Sequence, residues 1–329
     1  MVIYLLSFTL IFGQTKEAKK NRLADNGKFA NENILNPEKV ETDKKKNFMA
    51  RHPVAFTAGG YVFAPLFMGI VGMQMWEWGN QTHFKAGSDG WLEQDQTHGG
   101  ADKTSHMWSF YMGARLFSWY FKSVFPGRRR LAAVLGAGVS TLGGIAVEIG
   151  DGFATNYGFS YTDLVFDLAG VALGLAQELW PWFDDLFDFS LFLFPSVGYL
   201  SDRNDNKIDF ITDYSGQMLA FHLRLGGIPG LKETFLKYFR FDLGYFTRCY
   251  QPYDSCSKEI TGTKEFESRN VYLGFSFDFA RIFALSDNAK LKSAGELLRY
   301  FNFQGFAPMG VNFDINDSGK LYPGFSHSW

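Results

Sequence analysis

The chain has 329 residues, 32 of them basic and 34 acidic, for a formal net charge of -2. A hydrophobic share of 46% excludes a disordered chain, and the balanced charge excludes the broad positive field of a nucleic-acid binder, so no nucleic-acid partner is expected. Two cysteines exclude a disulfide framework and any multi-cysteine zinc site, while an aromatic share of 18% suits membrane interfaces and wide β-surfaces.

Residues 2–13 form an apolar run too short to span a bilayer, ended by the small Gly13. They predict a secretory signal peptide over 1–13, cleaved after Gly13, with no following cysteine for lipid attachment. Residues 14–50, rich in Lys, Asn, Glu and Asp, read as a polar tether. Residues 54–76 carry no charge. They are long enough to cross a bilayer, and their Gly59, Gly60, Pro65 and Gly69 suit a packed or kinked helix. After a glycine-rich loop, a second helix is expected from Asp102 to Phe125, stopped by Pro126-Gly127. Arg128–Arg130 open a third, running from Leu131 to about Gly150 and rich in Ala and Gly. A fourth follows the N-cap Ser160, with Asp163 three positions on, and ends near Trp180 before Pro181. Its Gly170-x-x-x-Gly174 is a packing face.

Beyond Pro181 the apolar period changes from helical to two. Leu219, Phe221, Leu223 and Leu225 alternate with Ala220, His222 and Arg224, and Val271–Phe279 repeats the pattern. Further strands are expected at Phe189–Phe194, Phe239–Thr247 and Ala307–Ile315. Five or six strands fall short of the roughly eight a closed membrane barrel needs. The fold class is therefore α+β: an apolar bundle of about four helices over 51–182, then an antiparallel sheet of amphipathic strands over 183–329 whose dry face packs on the helices or touches lipid. Cys249 and Cys256 either staple a loop between two strands or stay as two buried thiols.

One polar constellation stands out. Asp102 and His106 sit at i, i+4 with Lys103 between them; Glu148 and Asp151 sit at i, i+3; Asp163 and Asp167 sit at i, i+4. Each pair lies on an otherwise apolar helix, where charge is costly unless paired, hydrated or bound to a cation. If consecutive helices are antiparallel, all three pairs converge at one end of the bundle. A carboxylate such as Asp102 beside His106 could orient it for proton transfer. His106, Glu148, Asp151 and Asp167 could hold a divalent metal ion. Lys103, Arg115 or Arg128–Arg130 could counter a phosphate. The competing reading is structural: helix caps, a turn at Asp151-Gly152 and a hydrogen-bond network. His52, His83, His98, His222 and His327 are isolated, and no Gly-x-Ser-x-Gly, P-loop or dinucleotide pattern is present.

Ala101-Asp102-Lys103-Thr104-Ser105-His106, Glu148-Ile149-Gly150-Asp151-Gly152-Phe153, Tyr157–Asp163 and Asp167-Leu168-Ala169-Gly170 together resemble the YfiM-type family of uncharacterised envelope proteins, itself distantly similar to the VanZ-like membrane proteins. Gly90–Gln94, Asp213-Tyr214-Ser215-Gly216-Gln217, Asn302-Phe303 and Ala307-Pro308 match the longer Bacteroidota-type members, so the resemblance covers about 55–329. Asp167 stands where the long members are expected to carry Asn, and the lipid-attachment cysteine of short members is missing. The resemblance implies an envelope address and a shared polar site, without a known activity. The expectation is an exported protein of the outer membrane or periplasm, acting as a non-catalytic structural or assembly subunit, with membrane lipid and other envelope proteins as partners. The alternative is a metal-dependent or acid/base hydrolase acting on a lipid-linked or phosphorylated envelope substrate.

Overall fold

The computed structural model describes residues 47–87, 90–96, 98–193, 196, 199, 213–302, 309–316 and 321–323. The expected signal peptide and residues 14–46 of the tether lie outside the described residues. The tether's last residues are helical rather than irregular: Asn47 accepts a hydrogen bond from the Ala50 N–H at 2.7 Å and caps the single turn α1 (Phe48–Arg51).

Helix α2 (Pro53–Met75) begins with proline at its first position, where no backbone donor is lost. It buries only Gly60, Ala64 and Gly72. These small residues let it lie close to α3 (Ala101–Val124) and α4 (Arg129–Asp151), which run antiparallel to each other. Gly60 faces the rings of Tyr120 and Phe121, and Trp78 is wedged between Gly72 and Gly150. Between α2 and α3, a two-residue strand β1 (Ala86–Gly87) pairs in parallel with β2 (Phe159–Ser160), tying the glycine-rich loop to the start of α5 (Tyr161–Leu179). Ser160 caps α5 as its spacing to Asp163 predicts, accepting from the Asp163 N–H at 3.2 Å. Gly170 and Gly174 seat α5 against the backbone of α3 at Met107 and Tyr111. A β-carbon at Gly170 would sit 2.0 Å from the Met107 carbonyl oxygen, so Gly170→Ala forces two packed backbones apart. It is expected to cost about 1–3 kcal/mol, measured by thermal unfolding in detergent.

A short helix α6 (Pro181–Leu186) leads into a sheet of β3 (Phe187–Leu193), β4 (Gln217–Arg224), β5 (Phe239–Arg248), β6 (Ser268–Phe277), β7 (Phe301–Asn302), β8 (Met309–Asp314) and β9 (Leu321–Pro323). Between β5 and β6 lies the turn α7 (Lys258–Thr261), and α8 (Phe279–Ala284) and α9 (Ala289–Leu297) precede β7. The seven strands are ordered β7-β3-β4-β5-β6-β8-β9. The sheet is mixed, not purely antiparallel: β7 runs parallel to β3, pairing Leu191 with Phe301 and Phe192 with Asn302. A two-residue strand has no alternation to read, and its partner lies more than 100 residues away.

The two faces are inverted relative to a water-soluble sheet. Met218, Ala220, His222 and Arg224 of β4, Arg240 and Asp242 of β5, and Asn270, Tyr272 and Ser276 of β6 are buried on one side. On the other, Phe189, Leu191 and Leu219 pack against Tyr111 of α3. Farther along that side Phe221, Phe241, Leu243, Leu273 and Phe277 are between 36% and 52% exposed. The apolar face docks on α3 at its β3–β4 end, with Phe301 of β7 against Trp108 and one end of β5 alongside. The cysteines form a disulfide, Cys249–Cys256, across the loop that follows β5, the chemistry of an oxidising compartment.

Candidate functional site

The starts of α3 and α5 and the end of α4 meet, because α4 runs antiparallel to both neighbours. On α3, Lys103 is fully buried, its Nζ 3.0 Å from Asp102 Oδ2 and 2.6 Å from Asp163 Oδ1. One turn on, His106 Nδ1 lies 2.9 Å from Asp167 Oδ1 and 3.7 Å from Glu148 Oε1. Glu148 Oε2 accepts the Ser160 N–H at 2.9 Å, so the residue that caps α5 is itself held by the last turn of α4. Glu148 Oε1 and Asp167 Oδ2 are buried and take no hydrogen bond.

Four carboxyls (Asp102, Glu148, Asp163 and Asp167) face one lysine and one histidine. Fully ionised, the group is net negative even with His106 charged, in surroundings where uncompensated charge is costly. Protons or a cation must balance it. One donor atom each from His106, Glu148 and Asp163 lies within 4.8 Å of the others, which is ligand spacing for a metal ion. Nitrogen and carboxylate donors together suit Zn²⁺ or Mn²⁺.

The cluster opens on a cavity of about 400 Å³ lined by Asp102, His106, Asp163 and Tyr214, with Met68 of α2 and Trp76 just past its end as the apolar wall. His106, with 20% of its side chain exposed, is the member of the group that reaches it most openly.

Of the residues singled out in the sequence, Asp102, Lys103, His106, Glu148, Asp163 and Asp167 are brought together. Two pairings differ from those expected. Asp102 is taken by the neighbouring Lys103, so Asp167, a residue of another helix, orients His106. Asp151 accepts from Trp78 Nε1 at 2.6 Å and lines the cavity, but the close donor group has Asp163 in its place. The arginines considered for a phosphate are elsewhere. Arg115 is held by Glu178 and Asp184, and Arg128–Arg130 begin α4 about 30 Å from Glu148 at 1.5 Å per residue.

The cavity also has members that helical spacing could not find. Ser105 donates to Gln217 Oε1 at 2.7 Å, and the Tyr214 and His98 rings lie 4.6 Å apart. Tyr214 and Gln217 belong to the Asp213–Gln217 motif, which was visible only through the family resemblance. Asp213 fixes that turn by accepting from Ser196 N–H, Gly216 N–H and the Tyr253 hydroxyl. Burial nonetheless pushes its carboxyl, and that of Asp254 in the disulfide loop, above the usual range.

His222 is not an isolated strand residue. Ser190 Oγ lies 2.6 Å from His222 Nε2, and His222 Nδ1 pairs with Asp242, in the order of a serine–histidine–aspartate triad. Asn302 Nδ2 donates to the same Ser190 oxygen at 2.6 Å, and Ser190 and His222 are 0% exposed. With its oxygen engaged and no opening among the described residues, this chain of bonds ties β3, β4, β5 and β7 together rather than presenting a nucleophile.

Residues 88–178 match the model of a family described as predicted periplasmic lipoprotein (DUF2279). The match spans α3, α4 and α5, and so the whole polar cluster, and leaves the sheet outside it. It supports kinship with an uncharacterised family of the bacterial cell envelope and agrees with an exported address, in the periplasm or at the outer membrane. No curated protein and no solved structure matches the chain.

Proposed function

We propose that this exported envelope protein uses the bundle-end cavity as a cation-assisted acid/base site for a lipid-linked or phosphorylated envelope molecule. The observation that carries the reading is the pair of buried, unbonded carboxylate oxygens, Glu148 Oε1 and Asp167 Oδ2, beside a histidine that borders a 400 Å³ cavity. Glu148 and Asp163 would hold a divalent ion beside His106, which supplies charge to draw in an anionic head group and polarise it. Asp167 orients the His106 ring from Nδ1 and leaves Nε2 available to move a proton. Lys103 keeps Asp102 and Asp163 in place, and the apolar wall of Met68 and Trp76 suits an acyl chain next to a polar head. The finer kinship, with the YfiM-type and more distantly the VanZ-like proteins, belongs to this reading and rests on the motifs around Asp102, Glu148 and Asp167.

The test is metal analysis of the detergent-purified protein, titration with Zn²⁺ and Mn²⁺, and phosphate release from phosphatidic acid. Stoichiometric metal is expected, lost at least tenfold in affinity in Glu148→Gln, with turnover reduced about 10²–10⁴-fold in His106→Ala. Metal-free protein that ignores both ions overturns the reading. A second reading, a non-catalytic structural or assembly subunit, is favoured by the sealing of Lys103, Glu148 and Asp167, each at most 1% exposed. It predicts a stable partner complex on gentle extraction, unchanged in His106→Ala.

A further inference from the structure

We infer that the open side of the sheet, together with α2, is a belt immersed in the hydrocarbon of a phospholipid bilayer. The inference is independent of the cation site. It begins with the register. Arg240 opposes Ser276, Asp242 opposes Gly274 and His222 opposes Asp242, all on the buried side. Phe221 opposes Leu243 and Phe241 opposes Phe275 on the open side. A sheet facing water would gain by turning over, because a one-residue slip exchanges the faces. This sheet instead satisfies its charges internally and leaves phenylalanine and leucine outside, the arrangement of strands that meet lipid. On β5 the outward residues Phe239, Phe241 and Leu243 form a band about 14 Å tall at 3.4 Å per residue, ending at Tyr245, whose hydroxyl donates to the Gly99 carbonyl. That is about half of the roughly 25 Å outward band of outer-membrane strands.

A second apolar surface lies on another part of the molecule. Helix α2 has no charged residue in 23 positions, and only 11% of its most apolar window is buried. Its length of about 34 Å matches a hydrocarbon core of roughly 30 Å. It packs on α3 and α4, whereas the sheet packs on α3 through Tyr111. One ordinary protein partner would cover one of these surfaces; a bilayer contacts both.

The boundary of the belt has the matching charge. The start of α2, the end of α3, the start of α4 and the end of α5 lie together, linked by Asn47 to Ser123, Tyr120 to Phe56 and Lys122 to Glu178. Arg51 and Arg128–Arg130 are exposed there. Trp180 and Trp182, just past α5, are 52% and 64% exposed. A cationic rim with exposed indoles beside an uncharged band complements anionic head groups above acyl chains.

The experiment uses the full chain, whose native cysteines are paired, so that an added cysteine is the one free thiol. Leu243→Cys, Leu66→Cys and, as a control on an exposed loop, Glu265→Cys are labelled with an environment-sensitive fluorophore. Each is reconstituted in vesicles of phosphatidylcholine and phosphatidylglycerol, with or without a chain-labelled doxyl phosphatidylcholine. The Leu243 and Leu66 labels are expected to shift to the blue and lose more than half their emission to the doxyl lipid, with the Glu265 label unchanged. A Leu243 label that the doxyl lipid leaves bright overturns the inference. So does self-quenching between labelled copies in its place, which would make the face a dimer interface, or a monodisperse protein without detergent or lipid.

Discussion

Replacing Lys103 with methionine is expected to remove about 3–5 kcal/mol of stability, read from urea or thermal unfolding in detergent. The ammonium is fully buried and ion-paired to Asp102 and Asp163, at 3.0 and 2.6 Å. Methionine fills similar volume, so lost packing contributes little. What it leaves behind are carboxylates in a site that already contains Glu148 and Asp167, with His106 as the remaining cationic group of the cluster. Repulsion among them and desolvation of each then act together. Adding Asp163→Asn to Lys103→Met removes one orphaned charge and is expected to restore part of the loss. If the single variant unfolds at the same urea concentration as the parent, this lysine does not neutralise the cluster, and the charge argument for a bound cation fails with it.

Much of the fold was legible because its signals are local. Pro126-Gly127, Ser160 and Pro181 punctuate the helices where helix chemistry requires, and the observed ends fall within a residue or two of the expected ones. The period-two runs located β4 and β5 to similar accuracy, whereas β6 begins three residues before the expected Val271. Which face would be buried could not be read, since alternation is symmetric: Leu219, Phe221 and Leu223 mark a dry side without saying whether protein or lipid covers it. The parallel strand β7 escaped for lack of length. In the polar cluster, antiparallel packing brought the three pairs to one place, but the bonding partners were set across helices. Asp167 reaches His106 over 61 positions and Asp163 reaches Lys103 over 60, distances at which spacing within one helix carries no information.

The largest structural feature hidden from the sequence is an alternating ladder of charge: Lys122, Glu178, Arg115, Asp184, Arg299, Asp188, Arg224, Asp278, Arg281, Asp185 and Lys232. It runs from the end of the helical bundle into the buried side of the sheet, and Arg299 stands beside its midpoint, Asp188. Arg299 Nε donates to Asp188 Oδ1 at 2.8 Å, and its Nη2 donates to the Asp184 carbonyl at 2.8 Å and to Asp184 Oδ1 at 3.0 Å. The guanidinium thus joins α6 to β3 from just past α9, more than 100 residues away in sequence. Arg299→Met is expected to cost about 3 kcal/mol, because Asp184 and Asp188 each lose one of two cationic partners and keep only Arg115 and Arg224, respectively. Arg299→Lys is expected to recover less than half of that, since a single ammonium cannot reproduce the fork that grips Asp184 and Asp188 at once. Asp95→Asn is the control: the Asp95 side chain is 96% exposed and 3.8 Å from Lys264, and its loss is expected to leave the unfolding midpoint unchanged. Equal midpoints for Arg299→Met and Asp95→Asn would show that the ladder is screened like a surface pair, and that the inner side of the sheet is wet.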